Sequence, residues 1–237
     1  MKTLAHFVTP PHACSYLPDR AAEMEYVLAA SISAAEYQQR MADGWRRFGH
    51  TLFRPVCRAC HECRTLRVLV DRFRANRSQR RVRKLNEVQV RLTIGPPAVD
   101  REKLELYDRY HLFQSDVKDW PVHPPKDREE YLSSYVKNPF PTHEYCYHLG
   151  DKLVAVGYVD ALPESLSAIY CFYDPDCRER SLGTWNVLSV IEQAALSGRP
   201  YVYLGYYVGG CASLEYKANF APNQVRGDDG RWRDFRS

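Results

Sequence analysis

Apolar and polar residues alternate along "EVQVRLTIG" (Glu87–Gly95), and "LRVLVDRF" (Leu66–Phe73) is rich in β-branched and apolar side chains, so both predict strands. Beyond residue 142, "THEYCYHLG", "KLVAVGYVDAL" and "SLSAIYCFYD" predict three antiparallel strands joined by the turns "GD" and "PES". "SLGTWNVLSVIEQAALSG" reads as a helix with Leu188, Ile191 and Ala195 on its apolar side and a stop at Gly198, and "PYVYLGYYV" as a further strand before a last hairpin or tail. "DREKLELYDRYHLFQ" is a helix opened by Asp100. The prolines of "DWPVHPPKD" forbid its continuation and predict a surface loop near the substrate. Nearer the N-terminus, "DRAAEMEYVLAASISAAEYQQRMADG" predicts two short helices flanking "SIS". The second is capped by Ser33 with Glu36 three residues on, and ends before Gly44.

The order predicts an α+β protein: a small cysteine-containing N-terminal subdomain plus a mixed-sheet domain. The expected divisions are 1–75, a basic helix and connecting strand at 76–100, and 101–237. At 237 residues, 45% hydrophobic and 26% charged, the chain has the composition of a globular protein with ample core. No run reaches the roughly 20 apolar residues of a membrane span, and "MKTLAHFVTPPHACSYLPDR" lacks a signal pattern. A cytoplasmic protein is expected. The net charge of +4 is modest, but Arg72 to Lys84 holds seven basic residues and no acidic one. Such a patch attracts anions more than the average charge does.

Two stretches carry candidate chemistry. Cys57, Cys60 and Cys63 form C-x2-C-x2-C, with Cys14 available as a fourth ligand for zinc or an iron–sulfur cluster. The other reading is four reduced thiols that pack a subdomain. If "NRSQRRVRKLNEV" is a helix, Arg77, Arg80, Arg81 and Lys84 share one face while Val82, Leu85 and Val88 turn toward a core. Asn76 and Gln79 would close a capping box. Guanidinium forks at a helix start suit phosphate or carboxylate, and a merely solvated basic face is the alternative. "RERSLGTW" places Arg180 and Gly183 as in the R-x-x-G-x-G/A turn of acyl-CoA N-acyltransferases, but Trp185 stands where that turn needs a small residue.

Several stretches together resemble the aminoacyl-tRNA–protein transferases that modify protein N-termini: "CSYLPDR", "LFRPVCRACHEC", "NRSQRRVRK", "YDRYH", "GYVDALPESLSAIYCFYDPD", "SLGTW" and "YLGYYVGGCASLEYKANFAP". The chain's compactness resembles the bacterial members, which transfer leucine to an N-terminal Asp or Glu and so create an N-degron. The resemblance implies an N-acetyltransferase-like (GNAT) sheet whose coenzyme A site has given way to leucyl-tRNA. It implies protein acceptors, no DNA and no membrane.

An aminoacyl ester is already activated, so no cofactor is required for the chemistry; the enzyme must align amine and carbonyl, take a proton and stabilise the oxyanion. Candidate roles follow from the matching motifs. Arg77, Arg80, Arg81 and Lys84, helped by the Ser78 hydroxyl, attract the acceptor carboxylate or tRNA phosphates. Asp160 orients or deprotonates the amine, or simply caps a turn. Lys217 stabilises the oxyanion or binds the terminal phosphate, or is a structural lysine, and Tyr206 and Tyr216 lie beside it in the motif. Eukaryotic relatives are implied to bind a metal or cluster through a differently arranged cysteine motif. The rivals are an arginyl-tRNA donor, a CoA-dependent N-acetyltransferase, and a non-enzymatic RNA-binding module.

Overall fold

The computed structural model describes residues 1–118 and 120–236, so Asp119 of the proline-rich segment and Ser237 lie outside the described residues. The chain opens with β1 (Lys2–Val8), a two-residue ladder of β2 (His12–Ala13) and β3 (Ala21–Ala22), then β4 (Met24–Ser31), α1 (Ala34–Ala42), β5 (Arg46–Phe48) and β6 (Thr51–Pro55). β1, β4, β6 and β5 form an antiparallel sheet in that order. The first of the two expected N-terminal helices is therefore strand β4. Its Met, Leu and Ala favour a helix, but β4 pairs on both edges, with β1 from Val8↔Glu25 and with β6 from Met24↔Pro55. Two ladders outweigh local propensity. α1 does start at Ser33, whose hydroxyl accepts from the Glu36 N–H at 3.2 Å while the Glu36 carboxylate accepts from the Ser33 N–H at 3.0 Å.

Next come β7 (Arg64–Leu69), α2 (Arg77–Asn86), β8 (Val90–Gly95), α3 (Arg101–Lys118), and α4 (Arg128–Tyr131) running into a π-helical turn at Leu132–Val136. β9 (Thr142–Leu149), β10 (Lys152–Ala161) and β11 (Ser165–Tyr173) form the meander. A 3-10 turn at Pro175–Arg180 leads into α5 (Leu182–Leu196), then β12 (Tyr201–Tyr207), α6 (Ala212–Glu215), a 3-10 turn at Tyr216–Asn219, and the hairpin β13 (Asn223–Arg226)–β14 (Trp232–Arg236). Eight strands make one mixed sheet in the order β14-β13-β7-β12-β11-β10-β9-β8. β7 follows directly on the cysteine run, yet it is an inner strand of this sheet, between β13 and β12.

Alternation along the strands gives the large sheet two buried faces. Val202 and Leu204 of β12 join Val68, Val82 of α2 and Leu188 and Ile191 of α5 in one core. Tyr203 points the other way, to Tyr37 and Met41 of α1 and Leu52 of β6. On that second side Tyr158 and Phe172 also meet Leu106 and Tyr110 of α3 and Tyr131 and Tyr135 of the α4 segment. No helix among the described residues is long and apolar enough to cross a membrane.

The parallel pair decides where a site can open. β11 and β12 are in register only from Ser165↔Tyr201 to Ser167↔Tyr203, whereas β12 stays paired with β7 through Tyr207↔Arg64. Past Ser167 the two strands part, leaving a wedge between Ala168–Tyr173 and Leu204–Tyr207. Gly205 sits at the irregularity with φ +86°, in the left-handed region that a side chain would strain.

Candidate functional site

Lys217 stands at the parted end of β12. The 3-10 turn that carries it brings Nζ to 3.0 Å from the Tyr206 carbonyl oxygen. A Cβ on Gly205 would lie 3.3 Å from that ammonium, so the glycine also clears its approach. Burial, reinforced by the nearby Arg46 guanidinium, lowers the Lys217 pKa to about 8. The ammonium can therefore exchange its proton near neutral pH. Tyr216, the preceding residue, is 45% exposed and presents its ring to solvent. Tyr206 is buried and its hydroxyl is committed to the carbonyls of Gly44 at 2.9 Å and Phe53 at 3.3 Å. Burial raises its pKa, so it stays protonated and shapes the wall rather than moving protons.

α2 forms as expected. Asn76 caps it, its side chain accepting from the Gln79 N–H at 2.9 Å while Gln79 Oε1 accepts from the Asn76 N–H at 2.9 Å. Arg77, Ser78, Arg80, Arg81 and Lys84 are all exposed, and none of the four cations forms an ion pair among the described residues. Val82 alone of the expected inward residues is buried; Leu85 is 38% and Val88 89% exposed. The inner face is completed instead by polar residues: Gln79 Nε2 donates to the Asn219 carbonyl at 3.0 Å, and Asn86 Nδ2 to the Arg180 carbonyl at 2.9 Å. The first of these bonds ties the cationic helix to the turn that carries Lys217. Beside its N-terminus, Arg72, Arg74 and Arg236 line a depression of about 520 Å³.

The expected phosphate turn before α5 is otherwise engaged. Arg180 donates to the Leu85 carbonyl at 3.2 Å and to Gln89 Oε1 at 2.7 Å, clipping α2 to the approach to β8. Trp185 is buried in the core under α5. Neither is free to cradle a pyrophosphate.

Asp160 lies elsewhere, and its contacts correct the expectation that it handles the amine. Its carboxylate is fully enclosed and forms a two-toothed ion pair with Arg47, Nε donating to Oδ2 at 2.7 Å and Nη2 to Oδ1. Tyr37 Oη at 2.8 Å and Thr142 Oγ1 at 2.9 Å complete the shell. Burial opposes the Arg47 charge, but Asp160 outweighs it and the Arg47 pKa is raised. No solvent or substrate reaches this carboxylate.

The four cysteines do come together. Cys14, Cys57, Cys60 and Cys63 line a cavity of about 730 Å³ between the N-terminal sheet and the β12–β7–β13 edge of the large sheet. Desolvation, then the neighbouring Cys57, Cys14 and Cys60, pushes the Cys63 thiol up to about 12. Cys57 Sγ accepts from the Glu23 N–H at 3.5 Å and Cys14 Sγ from the Tyr16 N–H at 3.5 Å. Among the described residues no three Cys, His, Asp or Glu side chains stand at ligand spacing around one point. The donors are chemically right for a soft cation, but they stand apart here.

Three arginines that sequence reasoning passed over matter here. Arg46, beside Arg47 in "WRRF", is 5% exposed, lies under the rings of Tyr203 and Tyr206, and has Nε and Nη2 without partners. Arg64 and Arg226 line the cavity, each with a buried, unpartnered Nε. A sequence shows such residues only as charge. An aromatic cluster was missed too: His111 stacks on Tyr107 at 3.8 Å between centroids, and its Nε2 is 2.8 Å from Tyr170 Oη.

Residues 12–81 match the N-terminal family and residues 102–227 the C-terminal family described as arginine-tRNA-protein transferase. An aspartate/glutamate leucyltransferase of Campylobacter jejuni subsp. jejuni is 37% identical over 220 residues, covering 92% of this chain and 91% of the relative. One of Marinobacter nauticus is 38% identical over 236 residues, covering 99% and 98%. The crystal structure of FemX shares the fold, with a TM-score of 0.51 at 8% identity over 86% of this chain and 69% of that one.

Proposed function

The chain belongs to the arginine-tRNA-protein transferase family, and on that premise we propose that it moves leucine from leucyl-tRNA to the N-terminal Asp or Glu of acceptor proteins. It is an aminoacyltransferase. The observation that carries the choice of donor and acceptor is the likeness of nearly the whole chain to relatives named for leucine, aspartate and glutamate. The added leucine would mark the acceptor as an N-degron, and a tRNA donor places the work in the cytoplasm.

We read the large sheet as GNAT-like because its one parallel pair parts partway along, as a sheet must to admit an acyl donor between two strands. The tRNA end would enter that wedge. α2 would hold tRNA phosphates through Arg77, Arg80, Arg81 and Lys84, with Ser78 as a further donor. The Gln79–Asn219 bond sets that helix against the turn bearing Lys217. Tyr216 offers an exposed ring on which a base of the tRNA end can stack.

The chemistry needs few groups. An α-amine, with a reference pKa of about 7.7–8.0, is partly neutral at neutral pH and attacks the ester carbonyl unaided once aligned. Protonated Lys217 then stabilises the oxyanion, and the tRNA ribose oxygen leaves as the tetrahedral intermediate collapses. Tyr206 positions Lys217 through its carbonyl. Asp160 holds β5 and α1 against β10 instead of serving the reaction.

The thiols of Cys14, Cys57, Cys60 and Cys63 suit zinc or an iron–sulfur cluster, which when bound would brace the loop after β6. No step of transfer passes through it. Metal analysis of protein purified without oxygen tests this, with substoichiometric metal at full activity leaving the cysteines as packing thiols.

A coenzyme A donor fits poorly, since Arg180 and Trp185 are engaged in the fold. The deciding assay offers labelled leucyl-tRNA, labelled arginyl-tRNA and acetyl-CoA separately to peptides that begin with Asp, Glu, Ala or Arg. Leucine on the Asp and Glu peptides alone is expected. Arginine transfer would replace the donor, and no transfer from either tRNA would overturn the reading.

A further inference from the structure

The cavity beside the cysteines holds positive charge that the fold itself does not neutralise. Arg64 and Arg226 both line it, and neither forms an ion pair among the described residues. Each has a buried Nε with no hydrogen-bond partner. A buried guanidinium donor left unmatched is costly, so it points to an acceptor that arrives from outside. The neighbouring arginines are already engaged: Arg54 with Glu25 at 2.6 Å, Arg67 with Gln224 at 2.7 Å, and Arg233 with Asp229 at 2.5 Å. The two acids of the lining are occupied as well, Asp43 by Gln39 at 3.2 Å and Asp228 by His61 at 3.8 Å.

Both guanidiniums are held without a carboxylate. Arg64 lies over the rings of Tyr207 and Phe235, at 5.2 and 4.9 Å from their centroids. Arg226 runs between two glycines: a Cβ on Gly44 would lie 3.8 Å from its Nη1, and one on Gly230 only 3.0 Å from its Nη2. The site is thus formed before any ligand arrives, which lowers the ordering cost of binding.

The place of the cavity relative to Lys217 gives it a purpose. Tyr206 supplies its ring to the cavity lining and its carbonyl to the Lys217 ammonium. A group bound in the cavity is therefore one strand residue away from the parted end of β12. Its volume of about 730 Å³ is in the range that takes a small ligand or the first residues of a peptide.

We propose that this cavity is the acceptor site, in which Arg64 and Arg226 grip the side-chain carboxylate of the acceptor's first residue. The inference rests on the functional reading above and deepens it. It assigns the acidic specificity to the cavity and leaves the cations of α2 to the tRNA. A carboxylate between two guanidiniums accepts charge-assisted hydrogen bonds, whereas Asn or Gln in its place leaves both cations unpaired. That difference is what separates Asp and Glu from their amides.

The test is steady-state transfer by the full chain with Arg64→Gln, Arg226→Gln and the conservative Arg226→Lys, varying peptide and leucyl-tRNA independently. Circular dichroism checks that each variant is folded. Expected for both Gln variants is a rise of about tenfold or more in KM for Asp-initiated peptide, an unchanged KM for leucyl-tRNA, and a narrower preference for Asp over Asn peptide. Arg226→Lys should recover part of the loss, which a merely structural role would not require. A raised KM for leucyl-tRNA with peptide KM unchanged would assign the arginines to tRNA phosphate and overturn the proposal, as would unaltered kinetics in all three. If the unaltered chain transfers nothing to any acidic peptide, the functional reading itself fails and the acceptor site falls with it.

Discussion

Arg47 of β5 and Asp160 of β10 meet as a closed ion pair, the guanidinium fork laid against both carboxylate oxygens with no exposure of either side chain beyond 1%. Phe140 stacks under the guanidinium at 4.7 Å, and Tyr37 and Thr142 occupy the remaining lone pairs. The pair pins the small N-terminal sheet to the large one.

Asp160→Asn should therefore act on stability. Removing one partner of a buried pair leaves the other charge stranded, at a cost of about 3–5 kcal/mol, or on the order of 10 °C in Tm for a chain of this size. Thermal melts check this. A large loss of kcat with Tm unchanged would return Asp160 to the chemistry.

Lys217 should set the alkaline limb of the pH profile. The rate rises as the acceptor amine loses its proton, at a reference pKa of about 7.7–8.0, and falls as Lys217 deprotonates at about 8. The expected profile of kcat is a bell centred near pH 8. Lys217→Arg keeps the cation at every accessible pH and should leave only the rising limb, whereas Lys217→Met should lower kcat throughout. The same group affects stability. Its pKa is 10.5 unfolded and about 8 folded, so between those values the unfolded chain binds more protons and stability rises with pH. Urea melts across that window read the slope.

The cations of α2 should govern the donor. Combined Arg77→Ala, Arg81→Ala and Lys84→Ala substitutions should raise KM for leucyl-tRNA and flatten its dependence on salt, by about one unit of log–log slope for each phosphate no longer neutralised. KM for an acidic peptide should not move. All three residues are exposed, so the melting temperature should hold.

Gly157 should tolerate no side chain. A Cβ there would lie 2.2 Å from Asn186 Oδ1, which already accepts from Tyr147 Oη at 3.0 Å. Gly157→Ala pushes α5 off β10 and is expected to cost about 1–3 kcal/mol. Equilibrium denaturation measures it, and pairing with Asn186→Ala should relieve the clash.

The local signals in the chain were strong where one element settles its own form. The capping boxes Ser33–Glu36 and Asn76–Gln79 and the meander after residue 142 required no tertiary knowledge, because propensity, caps and turns all agreed. The cationic face of α2 was legible for the same reason: helical periodicity alone aligns those side chains. β4 was not legible, since its residues suit a helix and only β1 and β6 make it a strand. Leu85 and Val88 misled in the same way, because Gln79 and Asn86 take the buried face when Asn219 and Arg180 supply their partners.

The sequence by itself determined most element types, the basic helix, the cysteine run and, through long matching motifs, the family. Only the tertiary structure decided which charges are free. Arg47, Arg64 and Arg226 read alike along the chain, yet one is locked to Asp160 and two face a cavity without a partner. Pairing depends on what lies within a few ångströms in space, and Arg47 and Asp160 stand 113 residues apart in sequence. Local pattern carries no information over that separation, and burial, which turns a charge from a solvated group into a binding one, exists only once the sheets have packed.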